Sequence, residues 1–331
     1  MNALYALVAV VVLFLVVSLG IGGANLEFLF GVIVPYAAIA LFVIGFSYRI
    51  LKWARSAVPF RITTSCGQQK SLAFIKSENL ENPHNLLGVL GRLALEVLCF
   101  RSLFRNTQAK LTDDQDLVYG RDKWLWAASL AFHWSFLIIL IRHARFFSEP
   151  VPAFVLAVQS IDGFFKIGVP ILFMTGLILL AGATFLFVRR IVSPQVRYIS
   201  LVADYFPLLL IIAIAISGVL MRHFYKVEIV SVKELTMGLV SFQPVVPEGI
   251  GLVFFAHVFF VSVLFAYFPF SKLMHLGGVF MSPTRNLVNN SRAKRHVNPW
   301  NYEVRTHTYE EYEDEFREVM REAGLPLEKA D

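Results

Sequence analysis

The sequence predicts an all-α fold: a polytopic membrane helix bundle with six transmembrane helices and both termini in the cytoplasm. Three observations carry that expectation. Hydrophobic residues make up 56% of the 331 residues, charged residues only 16%, and the mean hydropathy is +0.62, whereas an ordinary soluble domain carries about 25% charged residues. Six stretches contain no Asp, Glu, Lys or Arg and are long enough to cross, or nearly cross, a hydrocarbon layer of about 30 Å. The basic residues between those stretches also fall overwhelmingly on one side.

The six stretches run Ala3–Leu26, Phe28–Tyr48, Trp124–Ile141, Ile167–Val188, Tyr205–Met221 and Gly249–Ser271. Hydrocarbon forces backbone groups to bond within the segment, so each is expected to be an α-helix; barrel strands would be shorter and would alternate. The first stretch is N-terminal, but residues 1–8 carry no Lys or Arg and the apolar run is long for a secretory signal, so it is expected to be a retained helix. With six crossings, the segments after the second and fourth spans and the C-terminal tail share a side and hold 12, 3 and 9 basic residues, against six on the other side. Basic residues resist translocation, so this split puts both termini in the cytoplasm. Trp53, Trp124 and Trp126 fall at the same interface.

Four regions follow. Residues 1–50 form two N-terminal transmembrane helices, 51–123 a cytoplasmic amphipathic segment, 124–282 a four-helix core and 283–331 a cytoplasmic tail. Within the second region, residues 86–104 are amphipathic and suit short helices on the membrane surface or against a partner. In the tail, YEEYEDEFREVMREA (residues 309–323) reads as an acidic helix: a solvated face, or a docking arm for a soluble subunit. No internal repeat points to a transporter built from two similar halves. The two cysteines, Cys66 and Cys99, are too few for a disulfide framework or a four-thiolate cluster, so any iron–sulfur cluster must sit in a partner. Cys66 is a free cytoplasmic thiol by default.

The chemistry concentrates on histidine. His133 and His143 lie ten residues apart on the third span, and His257 and His275 eighteen apart on and just beyond the sixth. Titratable groups in hydrocarbon are costly and usually functional, although a single one is as often a helix–helix hydrogen bond. The two spans run in opposite directions, so His143 meets His257 in the outer half and His133 meets His275 in the inner half. That pattern suits two hexacoordinate haem b groups, one per leaflet, each held by two neutral imidazoles. The ladders rise about 15 Å and about 27 Å as ideal helices, a mismatch that tilt or a kink at Pro269 must absorb. A zinc site is the rival, but its ligands would converge in one sphere, often from an H-E-x-x-H turn, and the sequence has none. Arg142, Arg145 and Arg222 lie at the depth of His143 and are candidate partners for haem propionates, or plain end-of-helix anchors. Lys166, in DGFFKIGVP, and His223, in MRHFYK, are candidate quinone-site residues; a lipid contact and an interfacial histidine are their bland alternatives. His84, His296 and His307 fall in polar cytoplasmic segments and receive no role.

The H-x9-H span followed by the H-x17-H span resembles the di-haem cytochrome b (gamma) subunit family of respiratory nitrate reductases, over about residues 28–284. That resemblance implies that His133, His143, His257 and His275 ligate two b haems and that menaquinol reacts near the outer one. The segments RITTSCGQQKSLAFIK, EVLCFRSLFRNT, PQVRYISLVADYFPLLL, SGVLMRHF, VSVKELTMGLVSFQPVVPEGIG and FPFSKLMHLGGVFMSPTRNLVNNSR resemble the DsrM family, the cytochrome b subunits of sulfite-reduction-associated DsrMKJOP complexes, through nearly the whole chain. This second resemblance implies an anaerobic sulfur-metabolising prokaryote, residence in the cytoplasmic membrane, and electron exchange between menaquinol or menaquinone and a cytoplasmic iron–sulfur subunit. That partner is DsrK-like and related to heterodisulfide reductase, beside DsrJ-, DsrO- and DsrP-like subunits and, indirectly, DsrC. Two competing classes remain: a proton-coupled transporter with intramembrane histidine relays, which usually carries acidic partners within its spans, and a structural anchor for soluble redox subunits. Nothing in the composition calls for nucleic acid, since the net charge of +6 sorts by membrane side.

Overall fold

The computed structural model describes residues 1–58, 67–111, 116–294, 303 and 305–328. Cys66 and His296 lie outside the described residues. The protein is mostly helical, and six of its helices are long and apolar enough to cross a membrane: Asn2–Ala24, Leu29–Ala54, Lys123–Phe146, Met174–Val192, Val202–Tyr225 and Leu252–Phe270.

Helix α1 (Asn2–Ala24) is apolar all round, yet only Ala6, Val10, Val17 and Gly20 are buried. That stripe packs on neighbouring helices, while outward residues such as Leu15 and Leu19 are exposed to what would be lipid. α1 ends at Asn25, whose left-handed backbone (φ 51°) is one that asparagine tolerates as a helix terminator. A π-helical turn, Leu29–Ile33, leads into α2 (Val34–Ala54).

Between α2 and the third span the described residues form α3 (Leu86–Cys99), a four-residue helix Arg101–Phe104, and an antiparallel hairpin. Asn85 caps α3 by accepting from the Gly88 N–H (2.8 Å). The hairpin joins β1 (Thr107–Leu111) to β2 (Leu117–Arg121), pairing Thr107 with Arg121. These strands depart from the all-helical expectation; five-residue strands in a polar stretch carry no apolar run that would announce them.

The core follows as α4 (Lys123–His143), α5 (Ala153–Asp162), α6 (Met174–Val192), α7 (Val202–Leu220), α8 (Ile229–Val240) and α9 (Leu252–Tyr267). α10 (His275–Met281) and the tail helix α11 (Tyr309–Glu322) complete the chain. The fourth span starts at Met174, not at Ile167. Pro170 has no N–H to give a helix, and residues 167–172 close instead into a loop through the Leu172 N–H to the Ile167 carbonyl (2.7 Å), with Gly168 at φ 83°. The sixth span ends in a 3-10 turn, Phe268–Phe270, containing Pro269. The chain then breaks at the extended Ser271, whose hydroxyl accepts from Leu273 N–H (3.2 Å), so His275 opens the next helix.

α4 packs along α6, α6 along α7, α7 along α1 and α9, and α9 along α1 and α2. Gly182 permits the first contact, because a Cβ there would lie 3.2 Å from the Phe132 Cβ. α4 and α9, which bear His133, His143 and His257, share no extended packed seam. The Trp126 and Trp134 indole N–H groups donate to the Cys99 (2.8 Å) and Leu98 (3.0 Å) carbonyls. These bonds use acceptors that the end of α3 leaves free and fasten α3 to α4.

Candidate functional site

His143 and His257 face each other with ring centres 6.3 Å apart and planes 10° from parallel. His133 and His275 are 5.9 Å apart with planes crossed at 81°. A metal bonded to one nitrogen of each ring at about 2 Å would separate the ring centres by about 6 Å. Both pairs fit that spacing across the gap where α4 and α9 are not packed together.

The second nitrogen of each ring is engaged. The Nδ1 of His133 meets the Ser129 carbonyl (2.7 Å), that of His143 the Ile139 carbonyl (2.7 Å), and that of His275 the Lys272 carbonyl (2.9 Å). The Nδ1 of His257 meets the Ser217 hydroxyl (2.9 Å). A carbonyl can only accept, so the proton sits on Nδ1 and the Nε2 lone pair is left for a metal. Fixing tautomer and ring direction in this way is the usual support for a metal-binding imidazole. Among the described residues no three His, Cys, Asp or Glu side chains converge on one point. Two facing imidazoles with nothing third beside them suit a planar group that brings its own four equatorial nitrogens, and not a tetrahedral zinc.

The end of α4 beside His143 is strongly polar. Asp162, at 6% exposure, accepts from Arg142 Nη1 (2.5 Å), the Thr175 N–H (2.8 Å) and the Thr175 hydroxyl (2.6 Å). Arg145 donates to Gln159 Oε1 (2.7 Å), and Arg222 donates to the Ile171 carbonyl through Nε (3.1 Å) and Nη2 (2.9 Å). The guanidiniums of Arg142 and Arg222 lie 3.4 and 4.1 Å from the centre of the Phe173 ring, a cation–π arrangement. The buried Nε atoms of Arg142 and Arg145 have no hydrogen-bond partner, so this corner retains unused donors suited to an anion. Lys166 is exposed at φ 49° on the loop that Arg222 holds at Ile171, and His223 lies half-buried in the π-helical turn Met221–Tyr225. Among the described residues neither side chain makes a hydrogen bond or ion pair, and the histidine pairs are backed by other residues.

The His133/His275 pair sits among aromatic rings and an ion pair. Phe100 and Phe132 approach His133 edge-on at 4.9 and 5.0 Å. Phe100 holds a left-handed backbone (φ 51°) between α3 and the following turn. Lys272, whose carbonyl meets His275, also pairs through Nζ with Asp204 (2.6 Å). His84 contacts Lys70 Nζ (3.4 Å) and His307 approaches Glu315 (3.8 Å), both away from the four-histidine core. Sequence reasoning gave no part to Ser217, Thr175, Phe173 or Phe100. Ser217 had a visible signal, because it is the one serine or threonine in the apolar run of α7.

A profile of the nitrate reductase gamma subunit matches residues 86–296, well over half of the chain and all four paired histidines. The chain belongs to the nitrate reductase gamma subunit family. Within this gamma-family chain, α1 and α2 lie ahead of the matched region yet pack directly on α9. An Hdr-like menaquinol oxidoreductase cytochrome b-like subunit of Archaeoglobus fulgidus is 48% identical over 280 residues, covering 82% of this chain and 83% of that protein. The protein of the same description from Archaeoglobus profundus is 42% identical over 273 residues, covering 80% and 81%. This gamma-family protein is thus similar to its relatives over most of its length, including the N-terminal helices or the tail that the profile leaves out.

Proposed function

We propose that this chain is the di-haem b membrane subunit of a respiratory sulfur-metabolism complex of the DsrMKJOP kind, and is itself DsrM-like. It would exchange electrons between menaquinol or menaquinone and a cytoplasmic iron–sulfur subunit. One observation carries the reading: two imidazole pairs at metal-bridging separation, each ring with its Nδ1 already engaged, across helices that do not pack on each other. The relatives' description as menaquinol oxidoreductase cytochrome b-like subunits supports the quinol, and their description as Hdr-like supports a DsrK-like, heterodisulfide-reductase-related partner.

Haem b, when bound, would supply one-electron iron chemistry, and two histidines offered to each iron would suit electron transfer and not oxygen binding. His143 and His257 would hold the outer group, and His133 and His275 the inner one. Arg142, Arg145 and Arg222 offer positive charge and the free Nε donors to propionates. A quinol must shed two protons with its two electrons, and Lys166 and His223, on the corner tied together by Arg222, are the groups there able to hydrogen-bond its oxygens. The basic excess on the side of both termini supports a cytoplasmic orientation in the inner membrane. On that side α11 leaves Tyr309, Tyr312, Phe316 and Val319 exposed along one face among seven carboxylates, and Cys99 is an exposed thiol. That amphipathic acidic face supports docking of a soluble subunit, with DsrJ-, DsrO- and DsrP-like subunits and DsrC reached through the complex.

The test is a dithionite-reduced minus oxidised spectrum of the purified complex, with pyridine haemochrome quantitation. Two b haems per chain are expected. A verified intact complex with none would overturn the reading and return the histidines to proton relay.

A further inference from the structure

Three of the four paired histidines rest their Nδ1 on a backbone carbonyl of their own helical turn, a contact no side-chain substitution can delete. His257 is different. Its Nδ1 reaches from α9 to the Ser217 hydroxyl on α7 at 2.9 Å, and that hydroxyl sends its own proton to the Ile214 carbonyl, also at 2.9 Å. With its hydrogen committed to Ile214, the Ser217 oxygen has only lone pairs to offer His257, so the imidazole donates and Nε2 faces the gap unprotonated. Ser217 is buried, and the next residue, Gly218, also lies against the imidazole, a Cβ there falling at ordinary contact distance, 3.5 Å, from His257 Cε1.

We propose that Ser217 is a positioning residue that sets the tautomer of His257 and tunes the reduction potential of the outer haem alone. This rests on the di-haem reading above and deepens it. The physical argument is that an Nδ1–H bonded to an acceptor makes Nε2 a more electron-rich ligand, and an electron-rich axial ligand favours the oxidised iron. A hydroxyl oxygen is a weaker acceptor than a carbonyl and, although the Ile214 carbonyl also lies near His257, the outer pair contains the one ligand whose Nδ1 is met by a side chain. Removing the hydroxyl should weaken donation further and raise the potential of that haem.

The experiment is a spectroscopic redox titration of the purified holo-complex carrying Ser217→Ala or Ser217→Thr, beside wild type, with haem content measured for each. Haem content of the wild type tests the underlying reading separately: without two b haems there, the di-haem assignment fails before Ser217 is in question. With two present, Ser217→Ala is expected to shift one midpoint potential upward and leave the other unmoved, and Ser217→Thr to restore the wild-type value. Loss of one haem in the alanine variant with recovery in the threonine variant supports the same role. Two unchanged potentials in Ser217→Ala would overturn it, since the Ile214 carbonyl would then have taken over the Nδ1 proton at no cost. Loss of one haem in both variants, or equal shifts of both potentials, would also overturn it, because packing and not the hydroxyl would be responsible.

Discussion

The two histidine pairs are built from the same residue type at nearly the same separation, yet they are held by different means. His143 and His257 both lie within long membrane-spanning helices, with rings 10° from parallel, and are braced by α7 and by the Arg142–Asp162–Thr175 cluster. His133 shares a helix with His143, but its partner His275 stands after the break at Ser271, with rings crossed at 81°. That histidine is exposed, and it is positioned by a turn that Lys272 ties to Asp204 and that α10 rests on α2. The His143/His257 pair is therefore fixed by the bundle, and the His133/His275 pair by the junction between the bundle and the layer built from α3 and the segment after α10. Under the proposed function, the first construction suits a quinol site closed to stray protons and the second a hand-over of electrons to a soluble subunit.

The largest effect that would break this comparison is removal of a ligand. His143→Ala should lower the haem content from two per chain to one, measured by pyridine haemochrome. The ring angles add a signature: near-parallel imidazoles split the iron d orbitals and give a rhombic low-spin electron paramagnetic resonance spectrum, whereas crossed imidazoles leave two orbitals nearly degenerate and give a strongly anisotropic one. Wild type should show both signals and His143→Ala only the anisotropic one. If the variant instead retained the rhombic signal, that signal would not come from the His143/His257 pair, and the contrast in ring angle would fail.

The next effect separates the α3 layer from the bundle. Arg92, at 4% exposure, donates from α3 to the carbonyls of Glu81 (3.1 Å), Arg285 (2.7 Å) and Leu287 (3.4 Å), joining the segment before the bundle to the segment after it. Burial and the nearby Arg285 charge hold its pKa below the ordinary arginine value, without bringing it near neutrality. Arg92→Leu strands those carbonyls and should destabilise this layer by about 3–5 kcal/mol, the usual cost of removing one partner from a buried charged network. Limited proteolysis within residues 67–106 should accelerate, and the inner haem, whose His133 packs against Phe100, should become labile before the outer one. Simultaneous loss of both haems would mean that the two regions are not mechanically separate.

How far the molecule was legible beforehand divides along the same line. The six spans follow from hydropathy because lipid leaves helices as the only open-ended way to satisfy the backbone; the fourth starts late and the sixth is broken where Pro170 and Pro269 withdraw N–H groups, and the second, third and fifth run several residues past the uncharged stretches because a helix continues through charged residues at its ends. The pairing of His143 with His257 needs only two antiparallel helices. The unequal ladders of ten and eighteen residues look like a defect if the sixth span is one straight helix. They cease to be one once Phe268–Phe270, Ser271 and Lys272–Met274 interrupt it, and local dihedral choices of that kind leave little trace in hydropathy. The hairpin at residues 107–121 and the left-handed Phe100 were hidden for the same reason. Ser217 and Thr175 are different: each is a hydroxyl in an apolar span, Ser217 the one serine or threonine of α7 and Thr175 one of two in α6, but its partner on another helix emerges only from packing.

The smallest effect tests whether the brace at the outer pair is cooperative or merely additive. Asp162 takes three hydrogen bonds, and only the one from the Thr175 hydroxyl can be deleted without disturbing charge or backbone. Thr175→Val keeps the β-branched shape and removes that donor, leaving the carboxylate with Arg142 and the Thr175 N–H. A hydrogen bond to a charged group contributes about 1.5–3 kcal/mol, and the two remaining donors should hold the loss near the lower end of that range. The readout is the temperature at which each haem's absorbance is lost. The outer haem should be released a few degrees earlier and the inner one near its wild-type temperature, because the routes from Thr175 to His275 run either the length of α4 or through α7 and the Asp204–Lys272 pair. If the inner haem moved by the same amount, α4 would be behaving as a rigid rod coupling the two leaflets, and the contrast between a bundle-held and a junction-held pair would have to be abandoned.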